Sequence, residues 1–422
     1  MIDKLRVVDG LEPIEFVRFD GRASSSPSGL PQPEEKIVVF TVHDGGKVPA
    51  ELWGERSAEV LDLDEVSYAH MRERDWGANR VARELARQLG LSGYLRINLA
   101  RVILDFGRFP GTSALGEEYL RRHSMFPPVE HLLSEEAKHE VLARYYDGIS
   151  RVLTQHFVDK KLTVGIHTYD RFNKTGTERP RLSLISRSLE YQLHSNLPPY
   201  IFDPLFPTVL AESTCDRSLV YRLGLDLENA GHPTATDYPY LMPEGSVEIR
   251  AQVWFFFRHL RKAFTAAFPE TRDKAEYLRI WELLQDVTRR SPDCERLRAY
   301  LHRYRDAPPG LEALFTRARH AYSEIKDFLQ THHHRLVEDY RFSKERPSCL
   351  GIEVRKDQLS VLGERNEVLG PREDAEARAQ AIASVLASSI RTHFAAPPAE
   401  RKWSEEEVGE LTGVGLTYEA AT

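Results

Sequence analysis

Cysteine is scarce in this 422-residue chain: Cys215, Cys294 and Cys349 lie far apart and form no CxxC pair. That argues against a disulfide framework and against a thiolate zinc site, and it suits a reducing compartment. Long apolar runs are missing as well. Nothing approaches the ~18 uninterrupted apolar residues of a membrane-spanning helix, and acids break up the opening MIDKLRVVDGLEPIEF. The expectation is a cytoplasmic protein with no membrane partner. Positive charge is not in excess either. Lys and Arg number 57 against 64 Asp and Glu, a formal charge of −7, so the chain lacks the broad field that draws phosphate backbones. Nucleic acid is therefore not an expected partner, although net charge leaves room for local basic patches.

What remains is the composition of a globular protein, 41% hydrophobic and 29% charged, long enough for a large core. Residues 21–35, GRASSSPSGLPQPEE, carry too few large apolar side chains to fix one conformation, so 1–35 reads as an N-terminal segment and linker. The β-branched run Ile37–Val42 then delivers the Gly-rich turn His43-Asp44-Gly45-Gly46. Further strands are expected at 94–99, 102–106, 162–166 and 350–354, with helical patterns between them. The clearest helix has Val81, Leu85 and Leu89 on one face and stops at Gly90. Alternating strands and helices predict an α/β fold: a mostly parallel or mixed central sheet flanked by helices.

The first part of that core spans 36–249. From 250 to 345 strands vanish, and Tyr277, Ile280, Trp281 and Leu284 repeat at helical spacing, which predicts a helical insertion. Residues 346–396 return to the core with a last strand and an Ala-rich helix, and 397–422 form a polar tail.

Ligands of open α/β sheets gather beyond the carboxyl ends of strands. His43 follows IVVFTV and His167 follows LTVGI, so both imidazoles would enter one crevice if their strands are neighbours. Two such imidazoles plus a carboxylate would make a zinc site with a position left for water; alternatively, each is a hydrogen-bonded histidine at a strand end. His332-His333-His334 cannot jointly ligate one metal, because consecutive helical residues point in different directions.

The stretches His43–Pro49, Arg74–Ala78, Arg101–Arg108, Ile166–Tyr169, Glu178–Pro180 and Gly351–Asp357 occur in an order that resembles the N-formylglutamate amidohydrolase family. His43–Pro49 is similar to its His-Gly-Gly loop, Arg74–Ala78 to its Asp-x-Gly-Ala helix start, and Arg101–Arg108 to its Asp-Leu-Asn-Arg signature. Ile166–Tyr169 resembles its His-Ser-Phe segment, Glu178–Pro180 its downstream Arg-Pro, and Gly351–Asp357 its Glu-Ile-Arg-x-Asp strand. The chain departs from the pattern at Gly46 and Gly107, which replace Asn, and at Ser150, which stands where His is expected.

The resemblance implies a zinc-dependent hydrolase with a carboxypeptidase-like fold, cleaving the amide bond of a small N-acyl acidic amino acid. His43, Asp75 and His167 would hold Zn2+, with Glu51 the alternative carboxylate, and Glu353 would handle protons. Asp75 also suits the first turn of a helix, and Glu353 a solvated strand position. Arg108, Arg179, Arg101 and Arg355 are the candidates for holding a substrate carboxylate, since a guanidinium does so bidentately. Glu248-Ile249-Arg250 repeats the Glu-x-Arg pattern and is the second choice for the active-site strand. The insertion suggests a larger modified peptide as another substrate, and the departures suggest a relative that binds a ligand without turnover. Oligomeric state is left open.

Overall fold

The computed structural model describes residues 5–19, 36–52, 64–113, 116, 124–188, 201–243, 245–303, 305–364 and 366–395. The expected linker at 21–35 and tail at 397–422 lie outside them. Seven strands form the central sheet: β1 Ile14–Arg18, β2 Ile37–Thr41, β3 Gly93–Ile97, β4 Leu162–Tyr169, β5 Leu182–Ile185, β6 Thr234–Thr236 and β7 Ser348–Arg355. Their spatial order is β1-β3-β2-β4-β7-β5-β6. The run β3-β2-β4-β7 is parallel, while β1 and β5 join it antiparallel. The sheet is thus the mixed form of the expected α/β architecture.

Side-chain alternation sorts the layers. Val39, Val164, Ile166, Leu350 and Ile352 face helices Ala78–Leu89, Arg217–Asn229 and Ala375–Ala395 in one core. Val38, Phe40, Leu95 and Ile97 face the other way, under helix Asp147–Phe157 and the first half of helix Val247–Ala267.

That last helix is apolar on two sides, which lets it serve two cores. Val247, Ala251, Trp254 and Phe255 pack beneath the sheet. Phe256, Phe257, Leu260 and Phe264 pack into a second cluster with helices Ala275–Gln285 and Glu312–Thr331. It starts at Val247, where Ser246 accepts a hydrogen bond from the Ile249 N–H at 3.3 Å, so Glu248-Ile249-Arg250 is a helical turn and not a strand. The expected strand at 102–106 is also absent. The Ile103 and Leu104 N–H groups both turn back to the Ala100 carbonyl, so this buried apolar run enters the core as a turn. Strands β5 and β6 are only four and three residues long, and together with β1 they escaped the sequence reading.

Leu350 is fully buried in the middle of β7, against Val164 of β4. Leu350→Ala is expected to cost about 2–5 kcal/mol, measured as a lowered midpoint of urea unfolding.

Candidate metal and substrate site

From β2 the chain first reaches β3 on one side, and β4 then lies on the other, so the carboxyl ends of β2 and β4 flank a topological switch point. His43 stands just past β2 and His167 near the end of β4, with ring centroids 5.6 Å apart. Glu353 is the register partner of His167 on β7 and shares its face of the sheet. It is 7% exposed, which rules out the solvated alternative.

Asp75 lies in the short link between helices Asp64–Glu73 and Ala78–Leu89, and its N–H donates to the His43 carbonyl at 3.0 Å. It therefore precedes the helix and points into the crevice. Asp44 anchors that helix instead, accepting from the Asn79 N–H at 2.9 Å and pairing with Arg74 at 2.8 Å. Gly45 is required by packing, because a Cβ there would come within 2.4 Å of the Leu99 carbonyl oxygen.

Donor atoms of His43, Asp75 and His167 all lie within 4.8 Å of one another. Asp75 Oδ2 is 3.5 Å from His43 Nδ1 and 3.1 Å from His167 Nδ1. On the outer side, His43 Nε2 is 2.8 Å from Asp105 Oδ1, and His167 Nε2 is 3.5 Å from Glu248 Oε1. With the proton of each ring on Nε2, the nitrogen that faces Asp105 or Glu248, both Nδ1 atoms present lone pairs towards Asp75. Two imidazole lone pairs and a carboxylate then converge, an acceptor set that needs a proton or a cation between its members. The donor set fits zinc.

Arg101 holds the cluster from outside, 3.4 Å from Asp75 and 3.1 Å from Asp105. Burial opposes ionisation of Asp75, but hydrogen bonds from His167 and His43 and the charge of Arg101 hold its carboxyl well below the usual range. Asp105 is likewise held well down, against burial, by Arg101 and His43. Burial disfavours a charged His167, yet Asp75 and Glu248 lift it well above an ordinary imidazole. Glu353 is raised, chiefly by burial, with the charge of Asp75 adding to the effect.

His43, Asp75, His167, Glu248 and Glu353 line a cavity of about 870 Å³ with Arg101, Arg108, Arg179, Lys174, Tyr169 and Tyr240. Tyr240 donates its hydroxyl hydrogen to Glu353 Oε1, while Glu353 Oε2 is buried with no partner among the described residues. The Arg179 guanidinium lies 5.4 and 5.8 Å from the rings of Tyr169 and Tyr240, and its buried Nε also has no hydrogen-bond partner among the described residues. Arg108 lines the cavity with its Nε on Asp105 at 3.1 Å.

Arg355 does not line the cavity and is bound to Glu178 and Asp357, at 2.9 and 2.8 Å, so it is no substrate clamp. Glu51 pairs with Arg144 at 2.9 Å, also outside the cavity, and is no competitor to Asp75. His332, His333 and His334 are exposed. Ser150 lines a separate small cavity with Phe106 and Arg250. Among the described residues none between 249 and 350 lines the main cavity, so the helices beyond Glu248 do not shape it.

The sequence gives no role to Asp105 and Tyr240, and offers Glu248 only as the second choice for the active-site strand. One signal for Glu248 was available in Gly165, a glycine inside an apolar strand. A Cβ there would meet Glu248 Oε1 at 2.3 Å and Phe40 at 3.0 Å, so the missing side chain admits the carboxylate.

No protein-family model and no curated protein matches the chain. Solved structures similar to it include the following two. A gene product of Agrobacterium tumefaciens is 14% identical, with a TM-score of 0.38 over 85% of this chain and 90% of its own. N-formylglutamate amidohydrolase from Ralstonia eutropha is 11% identical, with a TM-score of 0.45 over 90% of this chain and 98% of its own. Likeness at this level carries no information about individual residues, and the side chains of the cavity must speak for the chemistry.

Gly165→Ala is expected to destabilise the protein by about 1–3 kcal/mol through overpacking. Gly165→Ala/Glu248→Ala, which removes the opposing carboxylate, should regain part of that loss in thermal unfolding.

Proposed function

We propose that the chain is a zinc-dependent amidohydrolase that cleaves the C–N bond of a small N-acyl acidic amino acid of the N-formylglutamate type. The observation that carries this reading is the convergence of His43, Asp75 and His167 in one cavity with a buried carboxylate, Glu353, that has one oxygen unengaged. The motif order in the sequence agrees with it.

His43 Nδ1, His167 Nδ1 and Asp75 would hold the ion, with Asp105 and Glu248 fixing the outer nitrogens. Zinc bound by such a set would supply Lewis-acid polarisation of a carbonyl and activation of water near neutral pH. Glu353, raised by burial, suits a proton carrier: Oε2 takes a proton and returns it to the leaving nitrogen. Tyr240 fixes that carboxylate through Oε1. Arg179, with Lys174 beside it in the cavity wall, is best placed to hold a substrate carboxylate, since Arg101 is engaged with Asp75 and Asp105.

A second reading keeps the chemistry and enlarges the substrate to a longer acyl group or a modified peptide. It is favoured by the cavity volume of about 870 Å³, in the upper part of the roughly 300–1,000 Å³ found for small-molecule sites.

Elemental analysis is expected to find about one zinc per chain, lost in both His43→Ala and His167→Ala. Glu353→Gln should keep the zinc and lose turnover of N-formylglutamate by roughly 10²–10⁴-fold. Tight binding of N-acyl amino acids with no turnover and no metal, even after zinc is supplied, would replace this reading with that of a binding protein.

An ion held there would have to compete with the proton that Asp75 and Glu248 stabilise on His167. Uptake should therefore strengthen as pH rises towards the raised pKa of His167 and weaken as pH falls, with proton release on binding, measured by titration calorimetry in buffers of different ionisation enthalpy.

A further inference from the structure

A second large cavity, of about 1,000 Å³, lies at the opposite end of the sheet. Lys160 and Lys161, in its wall, immediately precede β4, whose far end carries His167, so the two sites are about one strand apart, roughly 25 Å. Seven Lys and Arg side chains line this cavity against three acids, in a chain whose formal charge is −7.

The cations come from separate elements. Helix Val247–Ala267 supplies Arg258, Arg261 and Lys262, Arg272 follows it, and Arg335 belongs to the helical turn His334–Asp339. Two of the acids are already engaged: Lys161 pairs with Glu345, and Arg258 lies 3.6 Å from Asp159. Asp339, the third, lies 3.4 Å from His334. Arg261, Lys262, Arg272 and Arg335 have no ion-pair partner among the described residues, and they sit in a concave wall where fields are focused.

His259 lines the same cavity with its ring stacked on Tyr340, centroids 4.0 Å apart, and its buried Nε2 has no hydrogen-bond partner among the described residues. Burial and the neighbouring charges of Lys262 and Arg335 press its pKa down to about 4, so the ring stays neutral beside the cationic side chains. Nothing in the amidohydrolase reading uses any of these groups.

We propose that this cavity binds a small polyanion carrying two or more phosphoryl groups. Charges distributed over several elements suit several anionic groups better than one, and the enclosing wall suits a molecule of limited length. A long nucleic-acid strand is disfavoured, because its flanking phosphates would meet a surface of net negative charge and the acids Asp159, Asp339 and Glu345 at the site itself.

The test is calorimetric titration of the full chain with inorganic tripolyphosphate, pyrophosphate and orthophosphate at one ionic strength. Tripolyphosphate is expected to bind at least ~10-fold more tightly than orthophosphate, and the double charge reversal Lys262→Glu/Arg335→Glu to weaken it by at least ~10-fold. Both positions are exposed, so the thermal midpoint of that variant should stay near that of the unaltered protein. Equal affinity in the reversal variant, or no preference for tripolyphosphate over orthophosphate, would overturn the proposal. A single-stranded RNA oligonucleotide that binds at this face and is not displaced by tripolyphosphate would also overturn it, in favour of a nucleic-acid surface.

Discussion

The carboxylate of Asp75, set between two imidazoles, is the interaction on which the rest of the site depends. A carboxylate this deeply buried is tolerated only when charge and hydrogen bonds compensate it. Arg101 and the two histidines provide that compensation, and each in turn is held by a further acid, Asp105 or Glu248. Removing one member exposes the charge on the next. The cluster behaves as one unit, and single substitutions within it will not give additive effects.

The sheet explains why these groups meet at all. The reversal of strand order at β2 opens a crevice between the ends of β2 and β4, and the parallel register of β4 with β7 places Glu353 beside His167. Helix Val247–Ala267 closes the crevice from the other core. Its first turn carries Glu248 into the space left by Gly165, while its later turns, about 20 Å away, supply Arg258, Arg261 and Lys262 to the basic cavity. One helix therefore contributes to both ends of the molecule.

Much of this was legible in the sequence where a pattern was unambiguous. The β-branched run Ile37–Val42 and the apolar runs 162–166 and 350–354 lie on strands β2, β4 and β7, and the histidines that follow the first two do face one crevice. The run Val102–Phe106 misled because apolarity reports burial and not backbone conformation, and here Ala100 captures the turn. Glu248 entered only as the second choice for a strand because Glu-x-Arg reads alike in a strand and in a first helical turn, which Ser246 as N-cap distinguishes. The fates of Arg355 and Arg101 could not be read at all, since their partners Glu178 and Asp75 are distant in sequence.

The main-chain bond between Asp75 and His43 has one more consequence. The two residues are tied by the backbone before any ion arrives, and His167 comes from the middle of a packed sheet. A cation taken up here would enter a frame in which one pair of ligands is already joined through the main chain, unlike the small domains that are unfolded until they are metallated. Ions of similar radius and ligand preference would then exchange through that frame, and supply and affinity order would decide which of them stays.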